Sequence, residues 1–554
     1  MNRREAASAF GIGAVLAASW FKIFTYVLNP ATLYGGYNSD SAIPVLMCND
    51  DSLRVESLYY WGQDRFSGTP FMLASLVHQV SGFFWSPSAL AVFQVAWAML
   101  SVFVMWRWSK CVAPALLWAG IVLIGHWHGV LFDISQPYGW QVTWLFLAAM
   151  VMTKQLDGGS WRGGVLLALL TWQTHAANAM SGTWLLALSV VEVLFAVGRR
   201  KRVALMVVLP LIAGIGLEAI VRGIVQVRFK VGHGFPVTTQ MRLSLHDLDR
   251  FYGMMLAHFS AWHVAAIVGC AVMGIAWLKW HSMPRWLVYP AVWAVLNMLQ
   301  PPLVKHIQDN DIAPRYFTVG ALLAPWVMLA VLTVMLERVN RLLAYVPAAA
   351  TIFFGPFREA APIEDANYAT NLATAQQLAK HAPESFLSSG YWDTYLLSSL
   401  VPRPALTPVP RDGQYQRSPH YYAAQSTSDQ VWVGNSGSDG KPGREATIAF
   451  FPHVLLGKTL FVPQGETANV NGREFRRYRP AKTSFEKHQR LCPEESVTVP
   501  VEGTLVVMGN DQADYTTDAG EPSREGLGWL WNASGEVTVR SKACTYTRIF
   551  VTRE

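Results

Sequence analysis

Long apolar runs separated by short polar connectors fill the chain up to about residue 355. Each run has about 15 to 20 apolar residues, enough for a helix to cross the hydrocarbon core of a bilayer or nearly so. The runs lie near residues 8–28, 87–106, 111–125, 139–153, 163–175, 181–197, 203–221, 260–278, 286–300, 316–336 and 341–355. This pattern predicts a mainly α-helical, polytopic membrane protein with about 11 transmembrane helices.

The pattern changes sharply after Pro356, where polar and turn-forming residues replace the apolar runs. Residues 363–382 predict a polar helix, and short strand and helix signals follow it up to Pro410. After Pro410, turn residues separate short alternating runs, which predicts an antiparallel β module. The sequence therefore divides into a transmembrane body at 1–356, a small α/β unit at 357–410 and a β-rich module at 411–554.

Basic residues in the short connectors predict the orientation of the chain. If the amino terminus is cytoplasmic, the short-loop Lys and Arg residues gather on the cytoplasmic side, as the positive-inside rule expects. They are Arg3, Arg4, Arg107, Lys110, Lys154, Arg162, Arg199, Arg200, Lys201, Arg202, Lys279, Arg285, Arg338 and Arg341. With an odd number of spans, the chain from about Phe357 onward is then periplasmic or extracellular. The expected location is the inner (plasma) membrane.

Composition excludes an ordinary soluble enzyme. The chain is 52% hydrophobic and 15% charged and contains 23 Trp, which is too apolar and too aromatic for that class. The net charge of +7 comes mostly from the connector bias, so no nucleic-acid partner is expected. The first run is expected to stay as a membrane anchor, because no small-x-small cleavage site follows it.

The cysteines fall into different compartments. Cys492 and Cys544 lie in the expected extracytoplasmic part, where an oxidising environment would let them pair if their geometry allows. Cys111 and Cys270 lie in apolar runs and fit the role of small core hydrophobes. Cys48 lies in the polar stretch after the first run and has no evident partner.

Polar and acidic residues are concentrated in that first external stretch. Asp40, in Tyr37-Asn38-Ser39-Asp40, lies where a carboxylate would reach the outer membrane surface. His128 and Asp133, and later Lys305-His306 through Arg315-Tyr316, are expected at the same face. Such a site suits a substrate with a phosphate on a lipid tail, since cations offset the phosphate charge and a carboxylate takes a proton from an acceptor hydroxyl.

At this point the chain resembles the GT-C superfamily of integral-membrane glycosyltransferases, which use lipid-phosphate-linked sugars as donors. The resemblance rests on Asp40 directly after the first span, on Arg315-Tyr316 at the start of a late span, on the many-span body and on the external carboxyl-terminal domain. It implies that Asp40 is the catalytic base or binds the acceptor, and that Arg315 contacts the donor phosphate. Many relatives have a second acidic residue in a later loop; Asp133 is the candidate here.

The resulting hypothesis is a membrane glycosyltransferase that moves a hexosyl or pentosyl group from a polyprenyl-phosphate donor to an extracytoplasmic envelope glycan, lipid or protein. The predicted site is catalytic Asp40 and Asp133, donor-phosphate-binding Arg315, Lys305 and His306, and acceptor- or sugar-binding Tyr37, Asn38 and His128. The sequence demands no metal site, and the cofactor is unknown. A divalent cation is an open alternative, because some members of the superfamily use one.

Other interpretations of the same residues stay open. Asp40 is also suited to cap a helix that runs from Ser41, and Asp309 or Asp311 could neutralise Arg315. A transporter or flippase for a lipid-linked or envelope glycan precursor would instead place charges at mid-span and show paired interrupted helices. A non-catalytic envelope scaffold would tolerate loss of Asp40.

Overall fold

The computed structural model places the chain in two units. The described residues are 39–61, 67–124, 137–196, 198–229, 244–280, 283–309, 311–354, 366–388, 391–402, 405–408, 421, 428–438, 445–447, 450, 453–456, 459–509, 514–525 and 528–553. Packing assigns the described part of Asp51–Asp365 to unit 1, and that of Tyr37–Asp50 together with Ala366–Glu554 to unit 2. Helix α1 (Ser39–Cys48) therefore belongs with the carboxyl-terminal part of the chain.

Unit 1 is built from helices, most of which coincide with the apolar runs of the sequence; Thr69–Ser81 and Leu245–His258 do not. They are α2 (Thr69–Ser81), α3 (Pro87–Ser109), α4 (Val112–Ile124), α5 (Tyr138–Gly158), α6 (Trp161–Ala177), α7 (Ala179–Phe195), α8 (Leu209–Phe229), α9 (Leu245–His258), α10 (Ala261–Trp280), α11 (Arg285–Leu299), α12 (Thr318–Val339) and α13 (Val346–Phe354). α8 continues Arg200–Val203 and a π-helical turn, Ala204–Val208. The first predicted run, 8–28, lies outside the described residues.

Several of these helices can cross a bilayer by length and composition. Within the described ranges there are four: Pro87–Ser109, Arg200–Arg228, Ala261–Trp280 and Pro314–Val339. α10 exposes Val264, Val268, Val272 and Ile275 along one stripe, a surface that lipid tails accommodate and water does not. The chain is a multi-pass membrane protein, and the number of eleven spans stays a prediction.

Contacts between helix termini define two opposite ends of unit 1. Arg285, at the start of α11, pairs with Asp157 near the end of α5 and with Glu192 near the end of α7. At the other end, the indole of Trp184, early in α7, donates to Gln300, just after α11. We call the end around Arg285 the basic end, because the connector Lys and Arg residues of the sequence lie there. The other is the opposite end.

Aromatic side chains form the core of unit 1. Trp118 packs against Phe146 and Trp326 at ring-centroid distances of 5.3 and 5.9 Å. A buried indole N–H requires an acceptor, and both indoles have one: Trp118 donates to Ser101 Oγ at 2.8 Å and Trp326 donates to the Pro114 carbonyl at 3.0 Å. These bonds fix α4 against α3 and α12.

Unit 2 combines α1 with two further helices and the strands of the chain. Its remaining elements are α14 (Ala366–His381), β1 (Ser385–Ser388), α15 (Tyr391–Ser399), β2 (Leu406–Pro408), β3 (Val431–Gly434), β4 (Ser436–Ser438), β5 (Glu445–Thr447), β6 (Val454–Leu456), β7 (Thr459–Val470), β8 (Arg473–Pro480), β9 (Thr483–Leu491), β10 (Ser496–Met508), β11 (Tyr515–Thr517), β12 (Ser523–Glu525), β13 (Gly528–Ser541) and β14 (Thr545–Thr552). The predicted carboxyl-terminal β-rich region is confirmed.

Two six-stranded sheets organise unit 2. The first has the order β2-β1-β3-β8-β7-β6, with β1 parallel to β2 and β3 and with β3 antiparallel to β8. Its strands come from both 357–410 and 411–554. The second has the order β11-β13-β10-β14-β9, with β12 paired to β13, and is antiparallel. The alternating Val497, Val499 and Val501 of β10 are buried in its core, as the period of two along a strand requires.

A disulfide closes the second sheet. Cys492 and Cys544 are bonded, and they adjoin the paired residues Leu491 and Thr545 of β9 and β14. The pairing that the sequence left open is therefore made. Cys48, Cys111 and Cys270 are free thiols.

Candidate functional site

Asp40 lies in the first turn of α1 and is partly buried. The helix already includes Ser39, so Asp40 lies within it and does not cap a helix beginning at Ser41. A carboxylate in a first helical turn is stabilised by the partial positive charge of the helix N-terminus.

α1 is held by α15, against which it packs in unit 2. From Ser41 to Asp50 every residue of the segment is buried, and Ala42, Ile43 and Val45 are fully so. α15 is also buried, with Tyr395 and Leu397 at 0% exposure. A helix buried on all sides is fixed by packing, so the backbone beneath Asp40 is rigidly placed within unit 2.

Lys305 and Arg315 lie in one segment at the opposite end of unit 1. Lys305 begins the short helix Lys305–Gln308 and is partly buried. Arg315 lies in the 3-10 turn Pro314–Phe317, is exposed, and places its guanidinium carbon 5.2 Å from the centroid of the Tyr316 ring. Two of the three predicted phosphate ligands thus lie in one segment, ten residues apart in the chain. The side chain of His306 lies outside the described residues.

Side-chain amides hold this segment in place. Asn297 donates to the Tyr316 carbonyl at 3.1 Å and accepts from the Gly320 N–H at 2.6 Å. Gln308 donates to the Pro302 carbonyl at 2.9 Å. The two Asn297 bonds join α11 to the backbone that follows Arg315, and the Gln308 bond holds the short helix Lys305–Gln308 to the residues just after α11.

Two consecutive residues of the segment have left-handed backbone angles. Asp311 has φ +57° and Ile312 has φ +49°, which is costly for a β-branched side chain. The conformation is held because Ile312 is fully buried and the Asp311 carboxylate pairs with Arg250 of α9. Phe251, the next residue of α9, packs against Phe317 at 5.5 Å. Asp311 is thus used to join α9 to the segment.

The other predicted site residues lie outside the described residues. They are Tyr37, Asn38, His128 and Asp133. Asp40 belongs to unit 2, and Lys305 and Arg315 belong to unit 1. In the part of the chain that the structure describes, no group of three or more His, Cys, Asp or Glu residues could hold a metal ion.

A buried carboxylate in α8 forms a cluster that the sequence did not assign to the site. Glu218 is 2% exposed and accepts from Arg222 Nε at 2.6 Å and from the Tyr59 hydroxyl at 3.2 Å. His175 Nε2 of α6 lies 3.9 Å from its other oxygen. Burial first, and then the Glu218 charge, raises the pKa of Tyr59, which keeps it a neutral donor. The four-residue spacing of Glu218 and Arg222 on a helix was the only sequence signal.

A second ionic cluster lies at the basic end. Arg285 donates to both oxygens of Glu192, from Nε at 2.7 Å and from Nη2 at 3.1 Å, and to Asp157 at 3.0 Å. Tyr289 also donates to Glu192, at 2.5 Å. The fork of Arg285 matches the carboxylate in two parallel bonds. The cluster ties α5, α7 and α11 together.

Comparison with known proteins defines the class of fold. No protein-family model matches the chain, and no curated protein matches its sequence. Among solved structures it is similar to ArnT from Cupriavidus metallidurans bound to undecaprenyl phosphate, with 11% identity, a TM-score of 0.51, and coverage of 85% of this chain and 98% of ArnT. The arabinosyltransferase EmbB from Mycobacterium smegmatis also matches, with 11% identity, a TM-score of 0.28, and coverage of 97% of this chain and 64% of EmbB.

The likeness to ArnT extends over nearly the whole of that protein and establishes the fold. The chain is a multi-pass membrane protein whose fold is similar to that of ArnT. The shared fold agrees with the resemblance drawn from the many-span body, and the roles of Asp40 and Arg315 stay predictions.

Proposed function

We propose that the protein is a membrane glycosyltransferase that moves a sugar from a polyprenyl-phosphate donor to an extracytoplasmic envelope acceptor. The observation that carries the proposal is the shared fold with ArnT, a protein solved with undecaprenyl phosphate bound. Fold alone does not determine function, so the proposal also draws on the charges of the anchored segment at the opposite end of unit 1.

Lys305 and Arg315 are proposed to bind the donor phosphate, together with His306. Arg forms paired, charge-assisted bonds with phosphate oxygens, and Lys contributes a point charge. These bonds strengthen as the sugar leaves, because the negative charge on the phosphate rises at that moment. The Tyr316 ring, which lies beneath the Arg315 guanidinium, limits the directions in which that guanidinium can point.

Asp40 is proposed to activate the acceptor. Its carboxylate takes the proton of an acceptor hydroxyl while the hydroxyl oxygen forms a bond to the anomeric carbon. The bond from that carbon to the phosphate oxygen breaks, and polyprenyl phosphate leaves with the electron pair. Asp133 would support the base or hold a cation, and Tyr37, Asn38 and His128 would contact the acceptor or the sugar. A hexosyl or a pentosyl group fits this scheme equally.

The proposed orientation places the amino terminus in the cytoplasm and unit 2 outside it. The connector Lys and Arg residues at the basic end support this orientation. The bond between Cys492 and Cys544 supports it independently, because disulfides persist in oxidising compartments. Blocking free thiols in intact cells and then reducing the protein should label Cys492 and Cys544 only after reduction. Labelling before reduction would contradict the orientation.

Sugar transfer in membranes tests the activity. Wild type, Asp40→Asn and Arg315→Ala are assayed with labelled polyprenyl-phosphate sugars at matched levels of inserted protein. Asp51→Asn is the control for Asp40, since Asp51 is an exposed carboxylate of the same acidic stretch whose described partner is His78 at 3.4 Å. We expect Asp40→Asn to abolish transfer, Arg315→Ala to raise the donor KM, and Asp51→Asn to retain activity. Full activity of Asp40→Asn would overturn the base assignment.

The buried carboxylates favour one alternative, a transporter or flippase for a lipid-linked or envelope glycan precursor. Glu192 and Glu218 lie within helices of unit 1 at 8% and 2% exposure, and intramembrane charges often line pathways. Each is already paired with an Arg, which equally fits a role in holding helices together. Donor translocation in vesicles without any sugar transfer would favour the transporter.

A further inference from the structure

A cavity of about 320 Å³ lies at the basic end of unit 1. It is lined by the ends of α5, α7 and α10, by the connector after α7, and by the start of α11. The charged side chains in its lining are Glu192, Arg199 and Arg285. None of the proposed transferase residues lines it, so it is a separate feature of the fold.

Two of these three charged residues, Glu192 and Arg285, form an ion pair with each other. Arg285 is bonded to Glu192 and to Asp157, and Tyr289 donates a further bond to Glu192. Glu192 is therefore turned toward its own partners and is nearly buried. Arg199 is exposed, and no side-chain partner occurs for it among the described residues. The unmatched charge of the lining is positive.

The backbone adds to this positive potential. α11 begins at Arg285 after Pro284, and no side chain caps its first turn. The first N–H groups of a helix have no intrahelical acceptor, and the helix N-terminus carries a partial positive charge. Pro284 and Arg285 both line the cavity. Exposed Arg200, Lys201 and Arg202 follow Arg199 in the chain and strengthen the attraction for an anion.

The remaining walls are apolar. Phe195, Trp277 and Met283 line the cavity, and Phe195 packs edge-on against Trp277 at 6.3 Å. The cavity thus combines positive charge with an apolar lining at the end of membrane helices. These properties fit a molecule with an anionic headgroup and a hydrocarbon tail. Basic pockets between transmembrane helices bind acidic headgroups for this reason.

We propose that this cavity binds the phosphate group of an anionic membrane phospholipid, with Arg199 as its principal ligand and Phe195, Trp277 and Met283 against the start of the acyl chains. The Arg199 guanidinium supplies charge-assisted bonds to the phosphate oxygens. The N–H groups at the start of α11 face the same anion. Bound lipid then joins the connector after α7 to α11, next to the Glu192 cluster.

Photo-crosslinking tests the proposal without reference to sugar transfer. Full-length protein in detergent receives phosphatidylglycerol that carries a diazirine near the headgroup, and mass spectrometry maps the cross-linked peptides. Wild type should cross-link within residues 192–203 and 277–285. Arg199→Gln should lower the yield about tenfold, since one charge-assisted contact is lost. Ala196→Trp, which fills the cavity and keeps every charge, should lower it as well.

The control is Arg162→Gln. Arg162 belongs to the same end of unit 1 and lies over Trp161 at 5.7 Å, but it does not line the cavity. Unchanged cross-linking in this variant supports the proposal. Equal losses of yield in the Arg162 and Arg199 variants would show that general surface charge attracts the lipid, and would overturn the proposal. Equal labelling by a phosphatidylcholine probe would also overturn it. If Ala196→Trp does not fold, the cross-linking yield of Arg199→Gln still tests the proposal, because a change at an exposed side chain leaves the fold intact.

Inorganic phosphate distinguishes the source of the phosphate group. If it leaves the phosphatidylglycerol cross-links intact, the lipid is the ligand. If it removes them and itself protects Arg199 from a guanidinium-modifying reagent, the site recognises phosphate but takes the free ion. Absence of both effects, with no cross-links in wild type, would refute a phosphate site.

Discussion

The hydroxyl of Tyr59 donates to the buried carboxylate of Glu218 across 159 positions of the chain, at 3.2 Å. The same carboxylate holds Arg222. The residues around Tyr59 are thereby held to α8 within unit 1, and their placement depends on a charge inside the helical body. A buried ion pair is costly to break even where its net contribution to stability is small.

The first prediction concerns this ion pair. Glu218→Met should destabilise unit 1 by about 3 kcal/mol, because Arg222 is left without its counter-charge. Replacing both residues by Met should cost less than the single change, since no unpaired charge remains. Thermal unfolding of the three variants in detergent completes the cycle. Additive effects of the two single changes would show that the pair is not coupled.

The second prediction concerns the close contact of α8 with α6. A Cβ at Gly214 would lie 2.4 Å from the Ala168 carbonyl oxygen and 2.7 Å from Thr171 Cβ. Gly214→Ala should therefore destabilise the protein by about 1 to 3 kcal/mol. Gly216→Ala, in the same helix with nothing within 4 Å of the added Cβ, should stabilise it by about 0.5 to 1 kcal/mol through helix propensity. Unfolding midpoints of the two variants should move in opposite directions.

The third prediction concerns the anchoring of Arg315. Asn297→Ala removes the bonds to Tyr316 and Gly320 and loosens the segment that carries the proposed donor ligands. We expect the donor KM to rise on the order of tenfold with a smaller change in kcat, because positioning is lost while the charges remain. Asn340→Ala, which removes a local turn bond at the basic end, is the control. Equal kinetics for both variants would contradict this role.

The fourth prediction concerns the pH dependence of unit 2. Burial lowers the pKa of His453 from its ordinary 6.5 to about 4. The unfolded chain therefore takes up a proton near pH 6.5 while the folded chain stays neutral, so this group costs stability as the pH falls from 6.5 to about 4. His453→Leu removes that loss. The unfolding midpoint of the variant, relative to wild type, should rise as the pH is lowered over this interval and stay level above it.

The sequence predicted the helices of unit 1 well, because the thickness of a bilayer imposes a minimum length on every apolar run. It did not predict α2 or α9; in α9 the exposed Leu245, Tyr252 and Leu256 alternate with polar residues and never form such a run. Within the predicted β module, the sequence did not delimit β7, β8 and β9 as separate strands. In β8 the apolar Phe475 and Tyr478 lie three residues apart among Arg476, Arg477 and Arg479. The sequence there lacks the period of two that indicates a strand.

The candidate site was only partly accessible to sequence reasoning. Asp40 and Arg315 could be chosen from their positions beside apolar runs. The roles of Asn297 and Glu218 could not, since they depend on partners brought close only by packing. The left-handed angles at Asp311 and Ile312 were also not predictable, because a β-branched Ile rarely adopts them and most Asp residues have negative φ.

The assignment of α1 to unit 2 has a consequence for how the protein is made. The ribosome synthesises Ser39–Cys48 early, but α15, against which this helix packs, is synthesised only after all of unit 1. The side chains of α1 that α15 covers in the folded protein therefore lack that partner while the membrane body is inserted. Folding of unit 2 thus joins two segments that are synthesised far apart in time, and a chain that stops after α13 leaves an apolar helix without its partner.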